Sequence, residues 1–574
     1  MKVRPLLNKV TGDFIREYLV ACGVKEDEVE HYIDLSCQDG DLADCFDYAG
    51  DYPNIDVACA EIKTAVEKGE KVAICVDSDQ DGIASSAIMY KFLKEYLDVP
   101  QDKIQVLFHT AKQHGLRSPD ENLVQQVIDS GAKLLIIPDA GSNDNEPCMV
   151  LEENGMQTIV CDHHETTPTS NNYATVVNHH LGTGLNTALS GTGVTFKLIE
   201  RYCQLYLPKE MIQFIYNEYA PFVAVSLISD VCDMTTLENR AFFVVGISNL
   251  IYAKDLNELV QTLNYKGETD PHGFSFGCIP PINALCRSND QEGKRIFFES
   301  LVGECDMSAG IAVLRKAVKE QREIVDEILS TIREGGIDYE HKVTVDFIEN
   351  EQANYTGLVA NKVLSFVNKP AFILRPVNPT QYSGSMRSPF PLASIINESR
   401  LAKAEGHECA SGLIMPKANL KKLLKYLDTH LTNDVICDTI DVTAKLTPQQ
   451  INLPLCMNCE EYKNMWGSAG SGIVEPVFYV KFTCYQNWVR LFRKKTTTGK
   501  ISAYGVDFIK FRLSEEQSAE WEKYDKFTFE AIVTLCTNEW NGRVYPQAMI
   551  QQWEVTPVSK VKSLAEDEDW RDLF

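Results

Sequence analysis

The chain has 574 residues, enough for two to four domains of about 100–200 residues each. Apolar residues make up 44% and charged residues 24%, which excludes a wholly disordered chain. The formal net charge is -26, from 55 Lys and Arg against 81 Asp and Glu; as a whole-chain average this argues against a nucleic-acid partner.

No stretch approaches the roughly 20 apolar residues of a membrane span, and the opening MKVRPLLNKVTGDFIREYLV has no apolar secretion core. The 18 cysteines follow no framework of paired spacings, which points to free thiols in a reducing compartment. Residues 1–50 are mixed and acidic and form an N-terminal extension without nameable chemistry. An alternating pattern then begins. VACAEIKTAVEKG is a helix ending at Gly69, KVAICVD (71–77) a buried strand, and IASSAIMYKFLKEYL (83–97) a helix. IQVLFH (104–109), KLLIIPD (133–139) and QTIVCD (157–162) are further strands, separated by helical ENLVQQVIDSG and the 144–154 region. This is an α/β pattern with a mainly parallel sheet, assigned to 51–304, with helices from 190 to 252.

A long amphipathic helix near 306–334 closes on two glycines and connects the halves, at 305–335. A smaller α/β domain follows at 336–432, beginning with HKVTVDFI. Residues 433–556 are strand-rich (VFYVKFTCY, WVRLFRKK, ISAYGVDFI, KFTFEAIVTL), the signature of a small barrel or sandwich. The acidic tail 557–574 ends VKSLAEDEDWRDLF.

Chemistry concentrates at strand ends, where open parallel sheets bind ligands. Asp77-Ser-Asp79-Gln-Asp81-Gly82 places three alternating carboxylates after one strand. They would repel one another without a cation. A calcium loop is excluded because its twelfth position, Ile88, is not glutamate. Asp139 ends a second strand, and Asp162-His163-His164 ends a third. Asp230 follows the apolar run FVAVSLIS. Carboxylates with one or two imidazoles suit manganese, with magnesium as the alternative. A pair of such ions about 3.5–4 Å apart activates water and clamps a phosphoryl oxygen. Cys456-x-x-Cys459 has no second pair at zinc spacing, and no P-loop motif occurs.

Asp162-His163-His164 with the other acidic motifs resembles the DHH phosphoesterases, and more closely their RecJ exonucleases, over about residues 70–555. DSDQDG, LSGTGVTFKL (189–198), ISDVCDMTTLENR (228–240) and IPPINALCR (279–287) resemble successive RecJ motifs, with Pro281 and Cys286 as departures. YTGLVANKV (355–363), GSMRS (384–388) and EGHECASG (405–412) resemble the DHH-associated domain, with Glu405 and Ser411 departing. The strand-rich end resembles an OB fold. The resemblance implies that Asp77, Asp79, Asp81, Asp139, His163 and Asp230 hold two Mn2+ ions, or Mg2+, with Asp139 bridging. It implies catalytic roles for Asp139, His163, His164 and His407, with His164 outside the direct ligand set. Asn283, Arg287, Ser385, Arg387, Ser388, Gly406 and His407 would hold substrate phosphates. KQHGL (112–116) resembles a G-Y-G-L region at which Lys112 or His114 would read the strand end.

A second basic track runs from 481 to 512, where eight Lys and Arg residues face only Asp507 along the chain. Arg490, Arg493, Lys494 and Lys495 interleave there with Tyr485, Trp488, Phe492, Tyr504, Phe508 and Phe511. Basic groups with rings make a single-strand platform. The resulting expectation is a 5′→3′ single-strand DNA exonuclease that releases 5′-mononucleotides in DNA repair, recombination or replication. The alternatives are a DHH phosphodiesterase acting on short RNA or cyclic dinucleotides, and a non-catalytic replication scaffold. The tail would dock a single-strand-binding protein, a helicase or a sliding clamp. The location implied is cytoplasmic, nucleoid-associated or virus-encoded.

Overall fold

The computed structural model describes residues 1–35, 42, 44–109, 114–116, 123–167, 171–336, 340–432, 439–466 (side chains to 463) and 472–558. Two compact units emerge: Cys37–Cys437, and Met1–Ser36 together with Asp438–Phe574.

In the larger unit, five parallel strands form the first sheet: β1 (Val72–Val76), β2 (Ile104–Phe108), β3 (Leu134–Asp139), β4 (Gln157–Asp162) and β5 (Thr175–Val177), in the order β2-β1-β3-β4-β5. Every residue of β1 and β3 is buried, as expected for continuous apolar runs covered on both faces. Helices α1 (Ile55–Glu67), α2 (Gln80–Lys91), α3 (Gly191–Tyr206) and α4 (Glu210–Ser229) supply the layers and carry site residues at their ends. Gly69, at a φ of 62°, ends the turn after α1. The expected helix 83–97 differs in its second half, which widens into a π-helical segment at Phe92–Tyr96. The three-residue β5 carries too short an apolar run to announce itself and was not expected.

Further along, α5 (Ile279–Arg287) borders the site and α6 (Met307–Gly335) is the long connecting helix, with its apolar face buried. The second sheet holds β6 (Thr344–Phe347), β7 (Ala371–Asn378), β8 (Gln381–Arg387), β9 (Lys403–His407) and β10 (Ala410–Pro416) in the order β9-β10-β8-β7-β6. Only β6 and β7 run parallel. Helix α7 (Thr356–Val367) covers it through Val359, Ala360 and Val363.

The other unit is β-rich. Its seven-stranded sheet runs Ala444–Leu446, β11 (Phe478–Tyr485), β15 (Lys526–Trp540), β16 (Arg543–Pro557), β14 (Val506–Leu513), β13 (Thr497–Ala503) and β12 (Val489–Arg493). ISAYGVDFI, expected as one strand, is two. Tyr504 and Gly505 both take positive φ (52° and 82°) and turn the chain from β13 into β14. The beginning of the chain joins this unit. Lys2–Pro5 pairs in parallel with Thr439–Val442, and the Met1 ammonium contacts Glu530 at 3.0 Å and Glu554 at 2.9 Å. The described cysteines are free thiols. Among the described residues no helix is long and apolar enough to cross a membrane.

Candidate metal centre and phosphate-binding groups

The carboxyl ends of β1, β3 and β4 lie side by side because the strands are parallel and in register, with Asp139 directly opposite Asp162. Asp77 follows β1, and Asp79 caps α2 by accepting the Gly82 N–H at 3.0 Å. A Cβ at Gly82 would stand 2.5 Å from Asp77 Cβ, so glycine lets the acidic turn fold back on itself. Asp81 accepts from Gly191 N (2.7 Å), Thr192 N (2.9 Å) and Thr192 Oγ1 (2.5 Å), all at the start of α3. The orphan N–H groups of that helix end thus fix a carboxylate.

Asp139 is held at a φ of 79°, a left-handed backbone that a non-glycine residue adopts at a cost of about 1–3 kcal/mol. It is buried, and its pKa is pushed well above the usual carboxylate range by burial and then by Asp81, Asp79, Asp77 and Asp230. Asp230 sits at the C-terminal cap of α4, the helix end least favourable to a negative charge. Burial, with the charges of Asp81 and Asp79, raises it to about 6 against the pull of His163. His163 Nε2 lies 3.2 Å from Asp139 Oδ1, 3.7 Å from Asp230 Oδ2 and 3.9 Å from Asp81 Oδ2.

These residues fit a divalent cation. Asp139 Oδ1 and His163 Nε2 are buried, face each other and have no hydrogen-bond partner. Two such orphaned atoms among repelling carboxylates are costly unless a cation satisfies them. Among the described residues, ligand atoms lie within 4.8 Å of one another in four groups, three of them built from these residues: Asp81, His163 and Asp230; Asp139, His163 and His164; Asp77, Asp79 and His114; the fourth, Glu268, Asp270 and His272, shares no residue with them.

Asp162, to which the motif alone assigns no role, organises the turn. It accepts from Ser142 N (2.8 Å), His163 N (2.7 Å), His164 N (3.0 Å) and His164 Nδ1 (2.8 Å). Burial alone would raise its carboxyl, yet the His164 hydrogen bond and the charges of His164 and His163 hold it down at about 2. Burial pulls the half-exposed His164 imidazole down, but Asp162 wins and lifts it to about 9. His109 was also missed. It follows β2 directly, is fully buried and places Nε2 3.9 Å from Asp77 Oδ1. A histidine closing a fourth strand was the available signal.

The expected phosphate groups divide. Arg287, at the end of α5, lies within electrostatic reach of Asp79, and its pKa is lowered mainly by burial. Arg387, at the end of β8, is lowered by burial and then by Arg287. Two half-buried guanidiniums that repel each other call for an anion. Arg287 donates to Asn283 O at 3.2 Å and Arg387 to Met386 O at 2.8 Å. Asn283 Oδ1 is buried without a partner. Gly357 makes room for Arg387, whose terminal nitrogen would stand 2.8 Å from a Cβ there. Ser385 Oγ meets Thr356 Oγ1 at 2.8 Å. Ser388 Oγ turns back to accept Phe390 N at 3.2 Å. Arg387, Ala410 and His407 share one register row across three strands, and Gly406 takes a φ of 124°. His114 stands at Asp77, with Nδ1 2.5 Å from Oδ2. Lys112 lies outside the described residues.

In the β-rich unit, β12 and β13 set Arg490 opposite Lys500, with Phe492 on the same face. Tyr485, Phe492, Tyr504 and Phe511 are exposed, while Phe508 is wholly buried. Trp488 joins Tyr485 and Tyr504 at ring separations of 5.0 and 5.6 Å. The basic surplus counted along the chain is reduced by acids from elsewhere: Glu530 lies 3.2 Å from Lys481 and Glu522 2.8 Å from Arg493. Arg490, Lys494 and Lys495 have no ion pair among the described residues. The tail beyond residue 558 lies outside them.

The family model for the DHH family, N-terminal domain, matches residues 71–226. The SPbeta prophage-derived protein YorK of Bacillus subtilis (strain 168), whose name describes a single-strand DNA-specific exonuclease, is 26% identical over 548 residues, covering 88% of this chain and 90% of its own. The single-stranded-DNA-specific exonuclease RecJ of the same organism is 24% identical, over 91% of this chain and 65% of its own. RecJ of Thermus thermophilus, solved in complex with Mn2+, superposes with a TM-score of 0.69 at 19% identity, covering 97% of this chain and 79% of its own.

Proposed function

We propose that this chain, a RecJ-like member of the DHH phosphoesterases, is a divalent-metal-dependent exonuclease that hydrolyses single-stranded DNA from a 5′ end and releases 5′-mononucleotides. The observation that carries the reading is the orphaned pair Asp139 Oδ1 and His163 Nε2, set among carboxylates, with the half-buried Arg287 guanidinium in electrostatic reach of Asp79. Relatives named single-strand DNA-specific exonucleases support the substrate. Structures of a RecJ with Mn2+ and with Mg2+ support a divalent cofactor, which we take as two manganese ions with magnesium as the alternative.

In this reading Asp77, Asp79, Asp81, Asp139, His163 and Asp230 would hold the ions. Divalent ions held there would supply positive charge to the phosphoryl oxygens and lower the pKa of a water. The remaining groups belong to the protein alone. Arg287 and Arg387 clamp the phosphate, and their burial removes competing water. Asp162 keeps His164 protonated near neutrality, so an imidazolium faces the developing negative charge. Ser385, Ser388, Gly406 and His407 line the second sheet's side of the substrate, with Asn283 at α5. Arg490, Arg493, Lys494 and Lys495 with the exposed rings of the β-rich unit form a second, stacking surface for the strand.

End-labelled single-stranded DNA, duplex DNA, RNA and a cyclic dinucleotide are each offered with Mn2+ or EDTA. Release of mononucleotides from the 5′ end of single-stranded DNA, with Mn2+ only, is expected. D139A and H163A should abolish it while keeping wild-type circular dichroism. Degradation by D139A rejects the metal centre, release from the 3′ end rejects the polarity, and preference for RNA or the cyclic dinucleotide rejects the substrate.

A further inference from the structure

We infer that His114 is a metal ligand, completing with Asp77 and Asp79 the second of two cation loci, rather than a reader of the strand end. The inference rests on the metal-dependent reading above and deepens it.

Of the three groups of candidate ligands at this sheet edge, two share His163 and together comprise Asp81, Asp139, His163, His164 and Asp230. The group of Asp77, Asp79 and His114 shares no residue with them and is a separate place. Without His114 the second place would offer only two carboxylates of its own, few for an ion that takes six ligands.

The backbone that presents His114 is fastened to this locus. Gly115 N donates to Asp77 Oδ1 at 2.9 Å, and Leu116 N donates to Asp144 Oδ2 at 2.7 Å. Gly115 takes a φ of 67°, and a Cβ there would stand 2.1 Å from Asp144 Oδ2, so glycine is needed for this approach. The imidazole then places Nδ1 2.5 Å from Asp77 Oδ2. Adjacent ligands on an ion with bonds of about 2.1 Å stand about 3 Å apart, so a shift of roughly half an ångström admits the ion. His114 Nδ1 is thus turned toward the carboxylates of this locus. In the resembling G-Y-G-L segment the position of His114 is tyrosine, so the nitrogen is this chain's own.

The test titrates the full-length protein with Mn2+ by calorimetry and electron paramagnetic resonance, without DNA. The wild type should bind two ions and give a spin-coupled spectrum. H114F should keep the first ion, weaken the second by at least about tenfold and lose the coupling. Two ions bound by H114F with wild-type affinity and coupling overturn the inference. H163A provides a second measurement should H114F fail to fold. Its remaining Mn2+ should retain a directly bound nitrogen in electron spin-echo spectra, and the lack of one overturns the inference. The two readings fail separately. Loss of one ion in H114F with no DNA cleavage by wild type rejects the exonuclease alone. Cleavage by wild type with both ions intact in H114F rejects the ligand alone.

Discussion

Replacing Gly191 with alanine tests how the metal centre is held together. A Cβ there would stand 2.2 Å from Asp139 Oδ1, 2.7 Å from Asp139 Cα and 2.8 Å from its Cβ. Comfortable carbon contacts lie at about 3.5–4.0 Å, so roughly an ångström must open between α3 and the end of β3. Neither side yields freely. Asp139 is pinned in register against Asp162, and the α3 start is tied to Asp81 by three hydrogen bonds. The displacement therefore passes to one carboxylate or the other. Overpacking of this kind costs about 1–3 kcal/mol of stability. A misplacement of about 1 Å in a reacting constellation costs about a hundredfold in rate. Thermal melts, Mn2+ isotherms and single-turnover release from labelled single-stranded DNA read the three consequences. Gly335→Ala, at the end of α6, is the control, because a Cβ there meets nothing within 4 Å. It should leave all three readouts at wild-type values. G191A with wild-type melting, Mn2+ affinity and rate would refute the claim that the α3 start sets Asp81 against Asp139.

Four further outcomes are expected. In the metal-free protein Asp139 and Asp230 have raised pKa values, so their contribution to stability is present at low pH and lost as pH rises through those values; the Asp230 part goes near 6. Mn2+ should reverse that loss at neutral pH, and D139N should raise the metal-free melting temperature while abolishing the Mn2+-dependent increase. His179 is buried with its pKa pushed down to about 3 by burial first and then by His180 and His163, so acid favours the unfolded chain. Between its ordinary value near 6.5 and pH 5 this removes about 2 kcal/mol, and H179L should flatten the urea-derived stability profile over that interval. Arg387→Met should weaken single-strand binding and lower the slope of log affinity against log salt by about 0.7, with Mn2+ affinity unchanged. An unchanged slope would remove Arg387 from the phosphate clamp. Phe492→Ala should weaken DNA binding by about 1–3 kcal/mol with little effect on melting, whereas Phe508→Ala should cost about 3–5 kcal/mol of stability.

The parallel sheet was legible because buried strands carry unbroken apolar runs, and the clustering of carboxylates at its edge because they sit where those runs stop. What each carboxylate does was not legible. Asp162 and Asp139 close neighbouring strands in the same register, yet one accepts four hydrogen bonds and the other keeps an orphaned oxygen. That difference arises from the backbone turn at Asp139 and the glycine opposite it, which no local pattern encodes. His109 was hidden for a related reason. Its approach to Asp77 depends on β1 and β2 lying side by side, although 34 residues separate Cys75 from His109. Arg387 likewise depends on Gly357, an absent side chain on another element.

Charge counted along the chain misled most where partners come from afar. The 481–512 segment has one acid of its own, but Glu522 and Glu530 fold onto two of its cations. Arg490, Lys494 and Lys495, without ion pairs among the described residues, cluster at β12 and just after it. A strand bound there would feel a short basic edge with exposed rings rather than a long positive track. Stacking should therefore contribute a larger share of its affinity than counterion release does. At Arg287 and Arg387, where two half-buried guanidiniums repel each other, counterion release should contribute the larger share instead. Salt should consequently weaken binding less when the β-rich surface dominates than when the clamp does. The salt slopes of Phe492→Ala and Arg387→Met should thus move in opposite directions, steeper for the first and shallower for the second. Parallel shifts of both slopes would mean that the two surfaces do not divide the strand in this way.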